Sequence, residues 1–370
     1  MSGIYLHIPF CRQACTYCDF HFSVNLRDTA RITDAIIQEM DSRKDEIQHP
    51  VRTVYLGGGT PSVLGDVNLE KLFKALRDSF DLSEVEEITM EVNPDDMRAE
   101  RLQQWKSMGI DRLSVGVQSF DDDALRWMNR SHNSLEAIQC LERAAQTGFR
   151  SLSADLIFGL PKIFPNRSWE DEIHQMVESG VDHVSMYALT LEDRTPLMHQ
   201  VKKGITPIPS EGIVETEFLL AHNRMLKKGW EHYELSNFCQ PNRRSKHNTA
   251  YWSGAPYLGL GPSAHSFDGA SRRSWNVRSN AAYLRLIRDH GTAIEETEVL
   301  NDKERSNEMI MTGLRTFDGL QIGKLTDGAM ILNEARKMDD QWFAERSAER
   351  IALSPQGMLL SDHIIANLML

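Results

Sequence analysis

Cys11, Cys15 and Cys18 stand in a C-x3-C-x2-C pattern near the start of a 370-residue chain. They follow Tyr5-Leu6-His7-Ile8-Pro9-Phe10, so three thiols are expected on one loop at the carboxyl end of a short strand. A [4Fe-4S] cluster held by three thiolates keeps one iron without a protein ligand, and that corner can take a small molecule. A structural zinc ion wants four ligands, which this pattern supplies only if His7 or His21 joins it. Cys140 falls in a helical pattern and Cys239 in a polar loop. Five cysteines so placed do not make a disulfide framework, and reduced thiols are expected.

Other residues with chemical potential recur at regular intervals. Gly57-Gly58-Gly59-Thr60-Pro61 follows a strand pattern and precedes a helical one. Glycines there let backbone approach a ligand and offer it N–H and C=O groups. Glu91, in Glu91-Val92-Asn93-Pro94-Asp95, ends the next strand, where a carboxylate can accept hydrogen bonds from hydroxyls or an ammonium. Gln118 closes a fourth strand and Arg130 lies in the helical segment beyond it. Asp155 sits inside an apolar strand, where burial is costly without a partner or ligand. A sixth strand ends in Ser185-Met186-Tyr187-Ala188-Leu189. Later, His247-Asn248-Thr249-Ala250-Tyr251-Trp252 joins an imidazole able to ligate iron to two flat aromatic faces. His265 and His232 are rival imidazoles.

The periodicity supplies a scaffold for these groups. Beyond the first strand, strand patterns over 53–56, 87–92, 112–117, 152–157 and 183–189 alternate with helical patterns over 29–48, 69–80, 98–108, 135–147, 169–178 and 214–228. Such alternation implies parallel strands joined by helical crossovers. Reactive residues of such a sheet belong at the carboxyl ends of its strands, where the candidates fall. Residues 233–278 read as loop-rich. The last portion reads as a helix over 303–314, a short one near 322–325, a long helical stretch over 330–345, a hairpin around 354–357 and a closing helix from 361. The expected organisation is a barrel-like α/β unit over 1–235, a connecting segment over 236–300 and a smaller, mainly helical, winged-helix-like domain over 301–370.

A hydrophobic fraction of 41% and a charged fraction of 25% are those of an ordinary globular protein. The formal net charge of −12 argues against a nucleic-acid partner, which needs many phosphates neutralised. Arg243-Arg244-Ser245-Lys246 is the densest basic run and reads as a solvated loop. Neither a signal peptide nor an apolar run long enough to cross a bilayer is seen, so a cytoplasmic protein without a transmembrane segment is expected.

The cysteine pattern resembles that of the radical S-adenosylmethionine (SAM) superfamily. The resemblance implies that the amino and carboxylate groups of SAM chelate the open iron. An electron from the cluster then cleaves the sulfonium to methionine and a 5′-deoxyadenosyl radical. It also implies closure of the six units as a partial (β/α)6 TIM-like barrel. The ordered set HIPFC-x3-C-x-Y-C, GGGTP, EVNP, GVQSF and DLIFGLP resembles, more narrowly, the oxygen-independent coproporphyrinogen III oxidase (HemN-like) family. That likeness covers nearly the whole chain, including Gly313-Leu314-Arg315 and Gly319-Leu320. It assigns Cys11, Cys15 and Cys18 to the cluster. It assigns SAM contacts to Tyr5, Tyr17, Gly58, Gly59, Thr60, Glu91, Gln118, Arg130, Asp155 and Ala188.

Three departures separate the chain from the oxidases of that family. They carry a further cysteine two positions after the third ligand, where this chain has Phe20. They have a long amino-terminal extension, whereas this sequence begins just before its first strand. The HNxxYW motif at 247–252 is similar to that of the HemW subgroup, which resembles haem chaperones. The implied function is a chaperone that binds the cluster, SAM and haem and passes haem to an acceptor protein, with His247 the candidate haem ligand. An electron donor and a homodimer are compatible partners, and coproporphyrinogen III oxidase activity is expected to be absent. The alternative is a true coproporphyrinogen III dehydrogenase, converting propionates to vinyl groups and CO2. An RNA-modifying radical SAM enzyme comes third, disfavoured by the acidic balance and the lack of an appended basic domain.

Overall fold

The computed structural model describes every residue except Met1, Gln48 and Pro209, and the side chain of Glu211. Its centre is six parallel strands in sequential order: β1 (Ser2–Ile8), β2 (Val51–Gly58), β3 (Glu87–Val92), β4 (Arg112–Gln118), β5 (Ser151–Phe158) and β6 (His183–Ala188). Side chains alternate between the two faces of a strand. One face carries Ile4, Leu6, Val54, Leu56, Leu113 and Leu156, all buried in the core. The other carries Tyr5, Tyr55, Glu91, Ser114, Asp155 and His183, which meet across strands: Tyr55 donates to Glu91 at 2.8 Å and Ser114 to Asp155 at 3.3 Å. A closed TIM barrel fills its interior with branched apolar side chains. This lumen is polar, so its groups must pair with one another or with a ligand.

Helices α1 (Thr29–Arg43), α2 (Asp66–Ser79), α3 (Ala99–Ser107), α4 (Asp122–Trp127), α5 (Ser134–Thr147), α6 (Trp169–Glu178), α7 (Pro196–Lys202) and α8 (Glu211–Lys227) form the crossovers and the loops around the strand ends. Their starts follow capping chemistry: Asn133 and Glu136 form a reciprocal capping box at α5, and Ser168 accepts from Asp171 at α6. The first helix ends at Arg43, earlier than its apolar spacing suggests, and a 3-10 turn over Lys44–Glu46 follows. Gln48, the expected end, lies outside the described residues. Cys140 is a buried residue of α5, as expected.

The segment read as loop-rich is built mostly into the sheet. β7 (Glu231–His232) and β8 (Asn237–Cys239) continue it antiparallel beyond β6. After α9 (Lys246–Trp252), β9 (Tyr257–Leu260) pairs parallel to β1 on its other side. β10 (His265–Phe267), β11 (Arg272–Asn276) and, after α10 (Asn280–His290), β12 (Ile294–Val299) extend that edge to give twelve strands. Strands of three to five residues are too short to show a period of two in sequence. Glu39 of α1 locks this edge in place. Fully buried, its carboxylate accepts from Arg43 at 2.9 Å, Asn276 at 2.8 Å, Tyr283 at 2.6 Å and the Gly261 N–H at 2.8 Å.

The carboxyl-terminal part contains α11 (Asp302–Gly313), β13 (Leu320–Gln321), α12 (Gly328–Ala335), β14 (Phe343–Arg346), β15 (Arg350–Leu353), α13 (Pro355–Leu359) and α14 (Ser361–Leu368), with strand order β13-β15-β14. Two expectations are corrected here. The long helix over 330–345 stops at Ala335; Asp339 caps a 3-10 turn and β14 follows. The hairpin is β14–β15, not 354–357. There Ser354 accepts from the Gly357 N–H at 3.1 Å and Pro355 takes the first helical position, so α13 begins instead.

Candidate functional site

The cysteine loop is pinned from several sides. Cys11 N–H donates to Ser23 C=O at 3.1 Å, and Thr16 N–H to Met128 C=O at 3.1 Å. Asn129, in the left-handed region at φ 58°, donates its side-chain amide to Ala14 C=O at 2.7 Å. Leu197, near the start of α7, donates its N–H to Thr16 C=O at 2.8 Å. The three thiols are free and partly exposed. Thr60 donates to Cys11 Sγ at 3.3 Å and Arg130 Nη1 to Cys15 Sγ at 3.3 Å. Burial pushes Cys11 up to about 12 and Cys18 to about 11, and each thiol is raised further by its neighbours' charge. Such thiols stay protonated at neutral pH unless a metal's positive charge favours the thiolate.

Among the described residues no three His, Cys, Asp or Glu side chains converge tightly enough for a single metal ion. Three thiols on one loop suit a cubane, which offers each thiolate a separate iron. His7 has both ring nitrogens engaged, whereas His21 has a partner on Nε2 alone. His7 Nδ1 lies 3.2 Å from the Tyr5 hydroxyl and its Nε2 3.1 Å from His21 C=O, while His21 Nε2 lies 2.9 Å from Asn280 Oδ1. Phe20 is 74% exposed.

The strand ends around this loop gather the other candidates. Gly59 packs so closely that a Cβ there would stand 2.5 Å from Phe10 C=O. Gly58, at φ 105°, donates its N–H to Glu91 at 3.1 Å. Desolvation raises Glu91 to about 7, against the lowering effect of the Tyr55 hydrogen bond. Asp155 is raised to about 6 by desolvation, against the Ser185 and Ser114 hydroxyls. Gln118 adopts φ 71° next to a register shift between β4 and β5. Arg130 donates through Nη2 to Asn93 Oδ1 at 2.8 Å and Gly116 C=O at 2.6 Å, and its buried Nε has no partner. Tyr17 packs on a small apolar cluster that includes Met128, Ile157 and Leu197, and Ala188 ends β6 beside Phe158. Sequence reading missed Asn93, Tyr55 and Arg112. Arg112 is 1% exposed, and its Nε is unpartnered. A charge in phase with Ser114 and Gln118 was the available signal.

The HNxxYW segment forms α9. Ser245 caps it, and the two oxygens of buried Glu87 accept from the N–H groups of Lys246 at 2.9 Å and His247 at 3.0 Å. His247 reaches into the lumen beneath Gly3. Its Nδ1 lies 2.8 Å from Thr53 Oγ1, its Nε2 2.8 Å from the Tyr251 hydroxyl, and its ring stacks on Tyr55 at 5.1 Å. Desolvation, with Arg112 adding to it, lowers His247 to about 3, so it is neutral. Of its rivals, His265 is exposed, and His232 is buried on Phe238 with ring centroids 3.8 Å apart.

On the outer side of α9 opens a cavity of about 870 Å³. Tyr251, Trp252, Tyr257, Met309 and Met311 line it, with Arg244 and Lys324 among its charged residues. A volume of this order suits a large flat ligand, and its charged lining includes Glu234, Glu308 and Asp318, the last paired with Arg244 at 2.6 Å. No helix among the described residues is long and apolar enough to cross a membrane.

Residues 5–167 match the family model of the Radical SAM superfamily. Over 377 residues the chain is 32% identical to "Heme chaperone HemW" of Bacillus subtilis (strain 168), covering 98% of each chain. It is 33% identical over 382 residues to the protein of the same name in Haemophilus influenzae, covering 98% of this chain and 96% of that one. Among solved structures, coproporphyrinogen III oxidase (HemN) from Escherichia coli is similar with a TM-score of 0.84 at 22% identity, over 100% of this chain and 90% of the other. That last likeness is one of fold.

Proposed function

The chain belongs to the HemW family of the radical SAM superfamily, and from that premise we propose that it is a haem chaperone, binding haem in the cavity beside α9 and passing it to an acceptor protein. The observation that carries this reading is that the HNxxYW helix supplies Tyr251 and Trp252 to an aromatic, methionine-lined cavity with basic groups. Flat apolar rings hold a macrocycle, and methionine adapts to its outline. Propionates would pair with Lys324, and with Arg244 once it releases Glu231 or Asp318. His247 stands behind Tyr251, with both nitrogens engaged. As an axial ligand it would have to release Tyr251 or Thr53.

The donor set of the cysteine loop fits a [4Fe-4S] cluster on Cys11, Cys15 and Cys18, with one iron left open for SAM. Tyr5, Tyr17, Gly58, Gly59, Thr60, Glu91, Gln118, Arg130, Asp155 and Ala188 would contact that SAM. When bound, the pair supplies one-electron chemistry at the sulfonium. Around it, Arg130 offers a buried cation for a carboxylate, and Glu91 and Asp155 offer acceptors for an ammonium or ribose.

The reading is tested by anaerobic titration of the full chain with haem, followed by visible absorbance and tryptophan quenching. Wild type is expected to saturate at one haem per chain, with Trp252→Ala and Met309→Asp weakening binding about tenfold or more. Absence of saturable binding, or equal affinity in both variants, would overturn it.

A further inference from the structure

Seven aromatic rings form a continuous file through the polar lumen, from the cysteine loop to the cavity. His21 lies three residues past Cys18 and faces His7, with ring centroids 6.3 Å apart. His7 meets Tyr5 edge-on at 6.0 Å, and Tyr5 stacks on Tyr55 at 6.1 Å. Tyr55 stacks on His247 at 5.1 Å, His247 meets Tyr251 at 4.7 Å, and Tyr251 meets Tyr257 at 4.5 Å on the cavity wall. Hydrogen bonds fix the file: Tyr5 to His7 at 3.2 Å, His7 to His21 C=O at 3.1 Å, and Tyr251 to His247 at 2.8 Å. His21 comes from the loop after Cys18 and the other six rings from β1, β2, α9 and β9, so the file crosses elements rather than running along one. Other aromatic contacts, such as Phe158 with Trp169 and Phe218, stay in local core clusters.

Electron tunnelling falls off steeply across empty space and less through packed atoms, so a file of neighbouring rings couples its two ends. We propose that this ladder is an electron path from the cysteine loop to the cavity, by which a reduced iron-sulfur cluster on Cys11, Cys15 and Cys18 reduces ferric haem within the same chain. The inference rests on the haem-binding reading above. One electron would leave the bound cluster, oxidising it, and enter the haem iron, reducing it from ferric to ferrous; no bond would form or break. The rings act as the medium, and their hydroxyls and nitrogens hold them in register.

The test uses the full chain loaded with ferric haem, with and without a reconstituted cluster. A photoreduced deazaflavin is the reductant, and the ferric-to-ferrous absorbance change is timed anaerobically. Iron, sulfide and haem are counted for every sample. The ladder predicts faster haem reduction with the cluster than without it. It predicts that Tyr55→Leu slows the cluster-dependent rate about tenfold, while Tyr55→Phe, which keeps the ring, slows it less than about threefold. Should Tyr55→Leu fail to fold, Tyr5→Leu makes the same interruption on β1. A wild-type rate indifferent to the cluster, or Leu variants at the wild-type rate with haem and cluster both bound, would overturn the ladder and leave the chaperone reading standing. Failure of wild type to bind haem would overturn both.

Discussion

Arg130 donates to Cys15 Sγ at 3.3 Å while its other terminal nitrogen is held by Asn93 and Gly116 C=O. One guanidinium thus ties the second cysteine to the ends of β3 and β4. Lysine cannot reproduce this fork. Arg130→Met and Arg130→Lys are expected to lower iron and sulfide per chain on reconstitution. Arg130→Met also leaves two acceptors unpaired, at a cost of about 2–4 kcal/mol in urea unfolding. Full cluster content in both variants would remove Arg130 from the site.

Gly59 admits no side chain. Its Cβ would stand 2.5 Å from Phe10 C=O and 2.8 Å from Phe10 N, both backbone atoms that cannot swing aside. Gly59→Ala is therefore expected to push the cysteine loop outward and to abolish stable cluster assembly, with far-ultraviolet circular dichroism largely kept. Iron-to-protein ratios equal to wild type would contradict the packing argument.

Glu39 and Arg43 carry the far edge of the sheet. Glu39→Ala takes the buried acceptor from the Tyr283 hydroxyl and the Gly261 N–H, while Glu46 still pairs with Arg43, and is expected to cost about 2–4 kcal/mol, measured by urea unfolding. Glu39→Gln keeps the shape and some of the hydrogen bonds and should cost less. Equal losses would mean that the carboxylate charge, not the shape or the neutral hydrogen bonds, holds this edge.

Glu91 and Asp155 give the apo chain a defined pH response. Desolvation holds them up to about 7 and about 6, so each binds its proton more tightly folded than unfolded. Their contribution to stability is therefore full below the unfolded carboxylate range near about pH 4, and is lost as pH rises through those folded values. Urea midpoints should fall between about pH 5 and pH 8, and Glu91→Gln with Asp155→Asn should flatten that slope. An unchanged slope in the double variant would assign it elsewhere.

Much of this was legible in the chain itself. The six central strands and their crossover helices follow from apolar spacing, and helix 169–178 has the expected bounds. The cysteine spacing, the strand-end positions of Glu91 and Gln118 and the buried carboxylate of Asp155 inside β5 were visible because parallel βα units place such residues together. The polar lumen was also written in the alternation of Thr53, Tyr55 and Gly57, or of Arg112, Ser114 and Gly116, though it needed the paired strands to be seen. Strands β8 to β11 escaped because segments this short carry no period, and the pairing of β9 with β1 joins residues more than 250 apart. Ser354-Pro355 was a helix start whose proline resembled a turn. The cavity was invisible for a different reason: its walls come from α9, β9 and α11, which no local pattern connects.

We propose a cavity that carries a tetrapyrrole without transforming it. It is tested most directly by incubating the cluster-loaded chain anaerobically with SAM, a reductant and coproporphyrinogen III, then analysing the tetrapyrroles by chromatography. Recovery of unchanged coproporphyrinogen, from the same preparation that binds haem one to one, is the predicted result. Formation of protoporphyrinogen with release of CO2 would contradict it.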